Sequence, residues 1–304
     1  MKLKHTKSTG KKFGAILKAS ADEFSDNDPI RLASSTSFFT IFSIAPILVL
    51  VINIMGVVYK TEILSGELYG EIESIFGAET ASLIQDIATN FTQIANNQAF
   101  NILVSIFLAF VATTLFIVMQ NSLNQIFKVK DNAKHSFLIK LQDRGISLLI
   151  ILFSGILFFA AVFSETIISF LSGYLEYILP NADTFFISAA NKLVSLLVVV
   201  VWFAIVFKYL PYINIKWKPV WAGAAFTGVL FAVGKVLLDC FLINSNIGDI
   251  YGTSASIILL LLFVFYSSMI FYFGATFTKN FAERNQMAAK PKKYAMRYRI
   301  AQVD

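Results

Sequence analysis

Apolar residues in this chain mostly run on without interruption, with little alternation and little clustering on one helical face. Six runs stand out, at about Ile30–Val58, Phe100–Phe127, Gly145–Leu171, Thr184–Tyr209, Pro219–Ile243 and Thr253–Phe281. At 1.5 Å per residue each is long enough to cross a hydrocarbon core of roughly 30 Å as a helix. Helices are expected because every backbone polar group must find its partner within the segment once water is gone. The pattern predicts an all-α fold, a polytopic bundle of six transmembrane helices spanning residues 29–283, flanked by segments 1–28 and 284–304.

Two stretches between the runs keep a helical period instead. In the loop 60–99, Leu64, Leu68, Ile72 and Ile75 recur at helical spacing, as do Leu83, Ile87, Phe91 and Ile94. They predict two short amphipathic helices, serving either as a cap on the bundle or as a lid over an opening. Near the start, Phe13, Ile16, Leu17 and Phe24 share a face beside Lys11, Lys12 and Lys18, which suits a helix lying on an anionic lipid surface. Asp28 then reads as an N-cap, with Pro29 at the first helical position.

Charge turns this pattern into an orientation. Of the 25 lysines and arginines, all but Lys60, Lys192 and Lys235 fall in the N-terminal segment, the second connection, the fourth connection or the C-terminal segment. The positive-inside rule therefore predicts both termini in the cytoplasm. The loop 60–99 carries Glu62, Glu67, Glu71, Glu73, Glu79 and Asp86 against Lys60 and is expected outside. The net charge of +6 then needs no nucleic-acid partner; the basic tail Lys290–Arg299 suits an anchor on the anionic inner leaflet. Hydrophobic residues make up 57% of the chain and charged residues 14%, which excludes an ordinary soluble domain. The first run is too long for a signal-peptide core, so no cleaved leader is expected.

Candidate chemistry is sparse. Cys240 is the single cysteine, and His5 and His135 are the two histidines, so neither a disulfide nor a His/Cys metal centre is expected, and no cofactor. No HExxH, GxSxG, Walker A or GxGxxG pattern occurs, and no catalytic activity is expected. Polar residues within the runs form the candidate site. The first run carries Ser34, Ser35, Thr36, Ser37, Thr40 and Ser43 before Pro46, a proline expected to kink the helix. Close packing through small residues and a polar pathway wall are both open readings. Thr113, Gln120, Asn121 and Asn124 fall near one face with Ile117 among them, a stripe fit either for interhelical hydrogen bonds or for a cavity at the cytoplasmic side. Lys235 and Asp239 lie four apart and can pair on one face, and Glu165 sits toward the outer end of the third run.

The stretch RLASSTSFFTIFSIAPILVLV, Arg31–Val51, resembles the first span of the YihY/virulence factor BrkB family. NSLNQIFKVK, Asn121–Lys130, is similar to that family's exit from the second span, and Tyr251–Glu283, with its tyrosine–glycine start and Gly274-Ala275, to its last. Where many members carry tryptophan in the last span, this chain has Phe263 or Phe265. The resemblance covers roughly residues 20–285 and implies a six-span protein of the bacterial inner membrane. It suggests transport of lipids or lipid-linked envelope precursors. A ribonuclease name once attached to the family finds no supporting residues here. Lys235, Asp239, Glu165, Asn121, Asn124, Thr40, Ser43 and Pro46 are the expected pathway residues of such a transporter, with membrane lipids as partners. A non-transporting scaffold is the alternative, with an intramembrane hydrolase last.

Overall fold

The computed structural model describes residues 3–55, 78–93, 98–132, 136–178, 184–243 and 255–298, together with 66, 69, 70 and 73. Its helices are α1 Leu3–Ser25, α2 Pro29–Met55, α3 Ala78–Gln93, α4 Gln98–Ile126, α5 Ser136–Ile178, α6 Thr184–Tyr209, α7 Trp217–Ile243 and α8 Ala255–Arg284. Short strands β1 Val129–Asp131, β2 Ile213–Asn214, β3 Lys290–Pro291 and β4 Ala295–Arg297 amend the all-α expectation. Among the described residues five stretches are long and apolar enough to cross a membrane: Pro29–Ile52, Ile106–Ile126, Lys192–Tyr209, Trp217–Leu237 and Ile257–Arg284.

Local chemistry fixes the helix ends. Pro29 opens α2, where its missing N–H leaves nothing unpaired. Asp28 departs from the expected N-cap conformation: it is left-handed, with φ 54°, although its carbonyl still accepts the first bond, from Leu32 N at 3.1 Å. Asp tolerates that region better than most residues do. At the end of α8, Gln286 is also left-handed (φ 57°), and Met287 N reaches Ala282 O at 2.8 Å while Gln286 N reaches Glu283 O at 3.2 Å. That bond pair is a Schellman ending without glycine. Pro46 does not break α2, which runs helical from Pro29 to Met55.

The long helices pack in chain order as a closed ring: α2 on α4, α4 on α5, α5 on α6, α6 on α7, α7 on α8, and α8 back on α2. Their shared core includes Leu32, Ala112, Leu123, Ile126, Ile151, Phe207, Leu210 and Tyr272. Outward-facing side chains are also apolar: Phe42 is 59% exposed, Ile106 62%, Leu149 65% and Leu197 62%. Such a surface is at home in lipid and not in water. At the α7–α8 crossing a Cβ on Gly223 would lie 1.7 Å from Thr278 Oγ1, and one on Gly274 would lie 1.8 Å from Thr227 Oγ1. Each threonine fills the notch of the other helix's glycine, and Phe226 stacks on Phe277 at 4.1 Å between ring centres.

Helix α1 docks on α8. Ile16 and Ser20 are buried, Phe24 packs on Phe273 with ring centres 5.4 Å apart, and Lys11, Lys12 and Lys18 remain exposed. Glu23 locks the joint: it accepts hydrogen bonds from Lys279 Nζ at 2.5 Å and Asn280 Nδ2 at 2.9 Å, with Lys128 Nζ 3.5 Å away. Burial works to raise the Glu23 carboxyl, but those bonds and charges outweigh it and hold it below the ordinary carboxylate value. Of the two helices expected in 60–99, α3 matches the second; it packs on α2 and α8 and buries Ala81 and Ile84. The first, over Leu64–Ile75, lies outside the described residues apart from single positions.

The C-terminal segment folds back as a strap. β4 pairs antiparallel with β1, Lys130 opposite Met296, and β3 with β2, Ile213 opposite Pro291. Asn132 N donates to Tyr294 O at 2.8 Å, Lys292 N to Tyr212 O at 2.9 Å and Tyr298 N to Lys128 O at 3.1 Å. The tail thus ties the connection after α4 to the connection after α6, at what is here the basal end of the ring.

Candidate functional site

A cavity of about 670 Å³ opens at the basal end, between α4, the start of α5 and the strap. The polar stripe of α4 is its wall: Ile117, Gln120, Asn121, Asn124 and Gln125 all line it. From Gln125 to Ile117 that wall is about 12 Å deep at 1.5 Å per residue. Val129, Lys130, Asp131, Lys140, Asp143, Arg144, Tyr212 and Tyr298 complete the lining. Hydrogen bonds across the bundle and a cavity, the two readings the stripe allows, are both present.

The buried side of the cavity is held by one network. Gln120 Nε2 donates to Asp143 Oδ1 at 3.1 Å and to Leu210 O at 2.7 Å. Asn124 Oδ1 accepts the Tyr212 backbone N–H at 2.7 Å, and the Tyr212 hydroxyl donates to Asp143 Oδ2. Gln120, Asn124, Asp143 and Tyr212 are all buried, so each needs these partners. Burial pushes the Asp143 carboxyl up; bonds from Tyr212 and Gln120 and the charge of Lys292 pull the other way, and Asp131 adds to the rise. Burial also raises Tyr212, with Asp143 reinforcing it, and lowers Lys292.

Arg144 supplies the innermost charge. One guanidinium nitrogen donates to Phe110 O at 2.9 Å and Thr113 Oγ1 at 2.7 Å, and the group lies over the Phe110 ring, 3.7 Å from its centre. These anchors sit about 20–24 Å along α4 from its end at Ile126. A cation that reaches into an apolar layer in this way is a candidate functional group. Sequence reasoning misses it, because the third apolar run begins at Gly145 and Arg144 falls in with the basic connection. Helix α5 starts earlier, at Ser136, and carries Arg144 inward.

The expected pathway residues are not brought to one place. Asn121 and Asn124 line the basal cavity. Thr40 lines a second, central cavity of about 470 Å³. Ser43 is buried and donates to Val111 O at 3.0 Å, and Pro46 is buried within α2. Thr36, Ser37 and Thr40 bond back to backbone carbonyls of their own helix, at 3.1, 2.9 and 2.7 Å, as helix-packing hydroxyls do. Lys235 is exposed and lines neither cavity. The side chains of Asp239 and Glu165 lie outside the described residues. Among the described residues no group of three His, Cys, Asp or Glu side chains could hold a metal ion.

A ring of lipid-facing apolar helices with a polar, basic-lined cavity at one end defines a polytopic helical membrane protein. The chain belongs to the virulence factor BrkB family, whose description matches residues 20–299. A curated relative, the "UPF0761 membrane protein" of Glaesserella parasuis serovar 5 (strain SH0165), is 24% identical over 205 residues, covering 66% of this chain and 68% of the relative. No solved structure matches.

Proposed function

We propose that this chain is a six-span transporter of the bacterial inner membrane, with both termini cytoplasmic, that moves an amphipathic anionic molecule of the cell envelope. The observation that carries the reading is the basal cavity, lined by the α4 stripe and by Arg144, which binds Thr113 farther along the same helix. Lys130, Lys140 and Arg144 outnumber Asp131 and Asp143 around it, so an anionic head group is favoured there.

Parity supports six crossings. Glu23 meets Lys128 and Lys279, and the strap meets both the connection after α4 and the connection after α6. These segments therefore share one face, and each stretch between them must cross the membrane an even number of times. Since α6 is a candidate span that ends on that face, α5 must make the other crossing. The shared face is also the lysine- and arginine-rich one, hence cytoplasmic.

A scaffold is the second reading, favoured by the span-one hydroxyls that bond to their own backbone. Reconstitution into liposomes with fluorescent lipid analogues, anionic and zwitterionic, separates the two. Protein-dependent movement of the anionic probe between leaflets, lost in a folded Arg144→Gln variant, is expected. No movement of either probe with the wild-type protein would leave the scaffold.

A further inference from the structure

The central cavity shares no lining residue with the basal one. All six long helices of the ring contribute to its wall: Thr36 and Thr40 from α2, Leu115, Phe116 and Met119 from α4, Leu157 from α5, Val199, Trp202 and Phe203 from α6, Phe231 from α7 and Phe271 from α8. Its few polar groups are mostly committed. Thr36 and Thr40 donate to their own helix, and Ser154 donates to Ile150 O and accepts Trp202 Nε1 at 2.8 Å. Ser267 Oγ lines it, buried and without a partner. Such walls offer nothing to recognise a head group and much to solvate hydrocarbon.

We propose that the central cavity holds one fatty-acyl chain of a membrane phospholipid, inserted from the bilayer between α5 and α6. Size argues for one chain. A methylene takes roughly the share of volume of a water molecule, about 30 Å³. The cavity of about 470 Å³ then holds roughly fifteen methylenes, one ordinary acyl chain. Position argues for the entrance. Leu157 and Val198 line the cavity, and their chain neighbours Ile156 and Leu197 are 52% and 62% exposed on the lipid-facing surface. Leu157 and Val198 are themselves only half-buried along that seam. The inference rests on the membrane reading of the fold.

The test reads occupancy, not movement, so it stands apart from the transport assay. The full chain is reconstituted with phosphatidylglycerol bearing one diazirine-labelled palmitoyl chain, irradiated, and the modified peptides mapped by mass spectrometry. Labels on Val199, Phe231 and Phe271 are expected, alongside labels on lipid-facing Leu193 and Leu197. Val199→Trp, and separately Ser267→Leu, should cut lining labels at least fivefold and leave the lipid-facing labels unchanged, which also reports that the ring is intact. Wild-type labels confined to Leu193 and Leu197 would overturn the proposal without reference to any variant. Lining labels obtained only with a diazirine polyprenyl phosphate would overturn the acyl assignment. A protein that labels as expected yet moves no lipid keeps the tail site and loses the transport reading.

Discussion

Glu23→Gln is expected to destabilise the protein by about 2–3 kcal/mol, at or just below the roughly 3–5 kcal/mol that losing one partner of a fully buried ion pair costs. The Lys279 side chain is 9% exposed and that of Glu23 19%, so neither charge is fully free of water and the upper end does not apply. Lys279 keeps one neutral acceptor, Ile126 O at 2.9 Å, while Asn280 Nδ2 loses its carboxylate. Lys279→Met should cost less, because Lys128 at 3.5 Å and Asn280 still attend Glu23. Replacing both, as Glu23→Leu with Lys279→Met, should recover most of the loss, since neither charge is then left unpaired. Acid should mimic the single variant. Glu23 is held below its ordinary value of 4.5, so its contribution is present above that pH and is lost as pH falls through the lowered value. Thermal unfolding in detergent gives the stabilities, and hydrogen exchange over α1 shows whether this helix detaches first. A double variant less stable than either single one, or a Glu23→Gln protein with wild-type stability and α1 protection, would refute the clamp.

Gly223→Ala should cost about 1–3 kcal/mol through overpacking, because Thr278 is held by its bond to Gly274 O at 2.8 Å and cannot turn away freely; Gly14→Ala on α1, with open space around it, should be neutral or stabilising by up to about 1 kcal/mol. For Asp143 the sign is opposite to that of Glu23: its carboxyl is raised above 3.8, so its contribution is complete below that pH and is lost as pH rises through the raised value. The stability difference between wild type and Asp143→Asn should therefore shrink from pH 3.8 upward, and a widening difference would contradict the burial argument. In a Cys240→Ser background, cysteines at positions 70 and 249 should label from outside in intact cells and those at 134, 214 and 292 should not; outside labelling at 134 would end the six-span topology.

Apolar run length makes the spans legible in the amino-acid sequence, because length and composition decide whether a segment can cross hydrocarbon. The polar stripe on α4 is legible for a similar reason, since the helical period is fixed. Arg144 is not. Its role depends on where α5 begins, and the residues just before Gly145 include Lys140 and Asp143 and look like a connection. The strap is equally hidden: β3 and β4 are two and three residues long and exist because two distant connections offer them edges. The α7–α8 crossing is written in the sequence in a form easily passed over. Gly223-Ala-Ala-Phe-Thr227 and Gly274-Ala-Thr-Phe-Thr278 are near-repeats, and in antiparallel helices such a pair places each threonine against the other's glycine.

The two intramembrane cations change places in weight once the packing of the helices is known. Lys235 stands out in the sequence because it interrupts an apolar run, yet it is exposed and lines neither cavity. Arg144 does not stand out, because its sequence neighbours are charged, yet it binds the backbone of the neighbouring helix α4. What decides the role of a charge in a helical ring is therefore the surface it meets on the neighbouring helix. That surface is set by which helices are neighbours, and here neighbourhood follows chain order. A polar stripe on one helix is therefore best read together with the first turns of the next, since those are the side chains that close over it. Applied to α4 and α5, this rule brings Asn121, Asn124, Asp143 and Arg144 into one site and leaves Lys235 outside it.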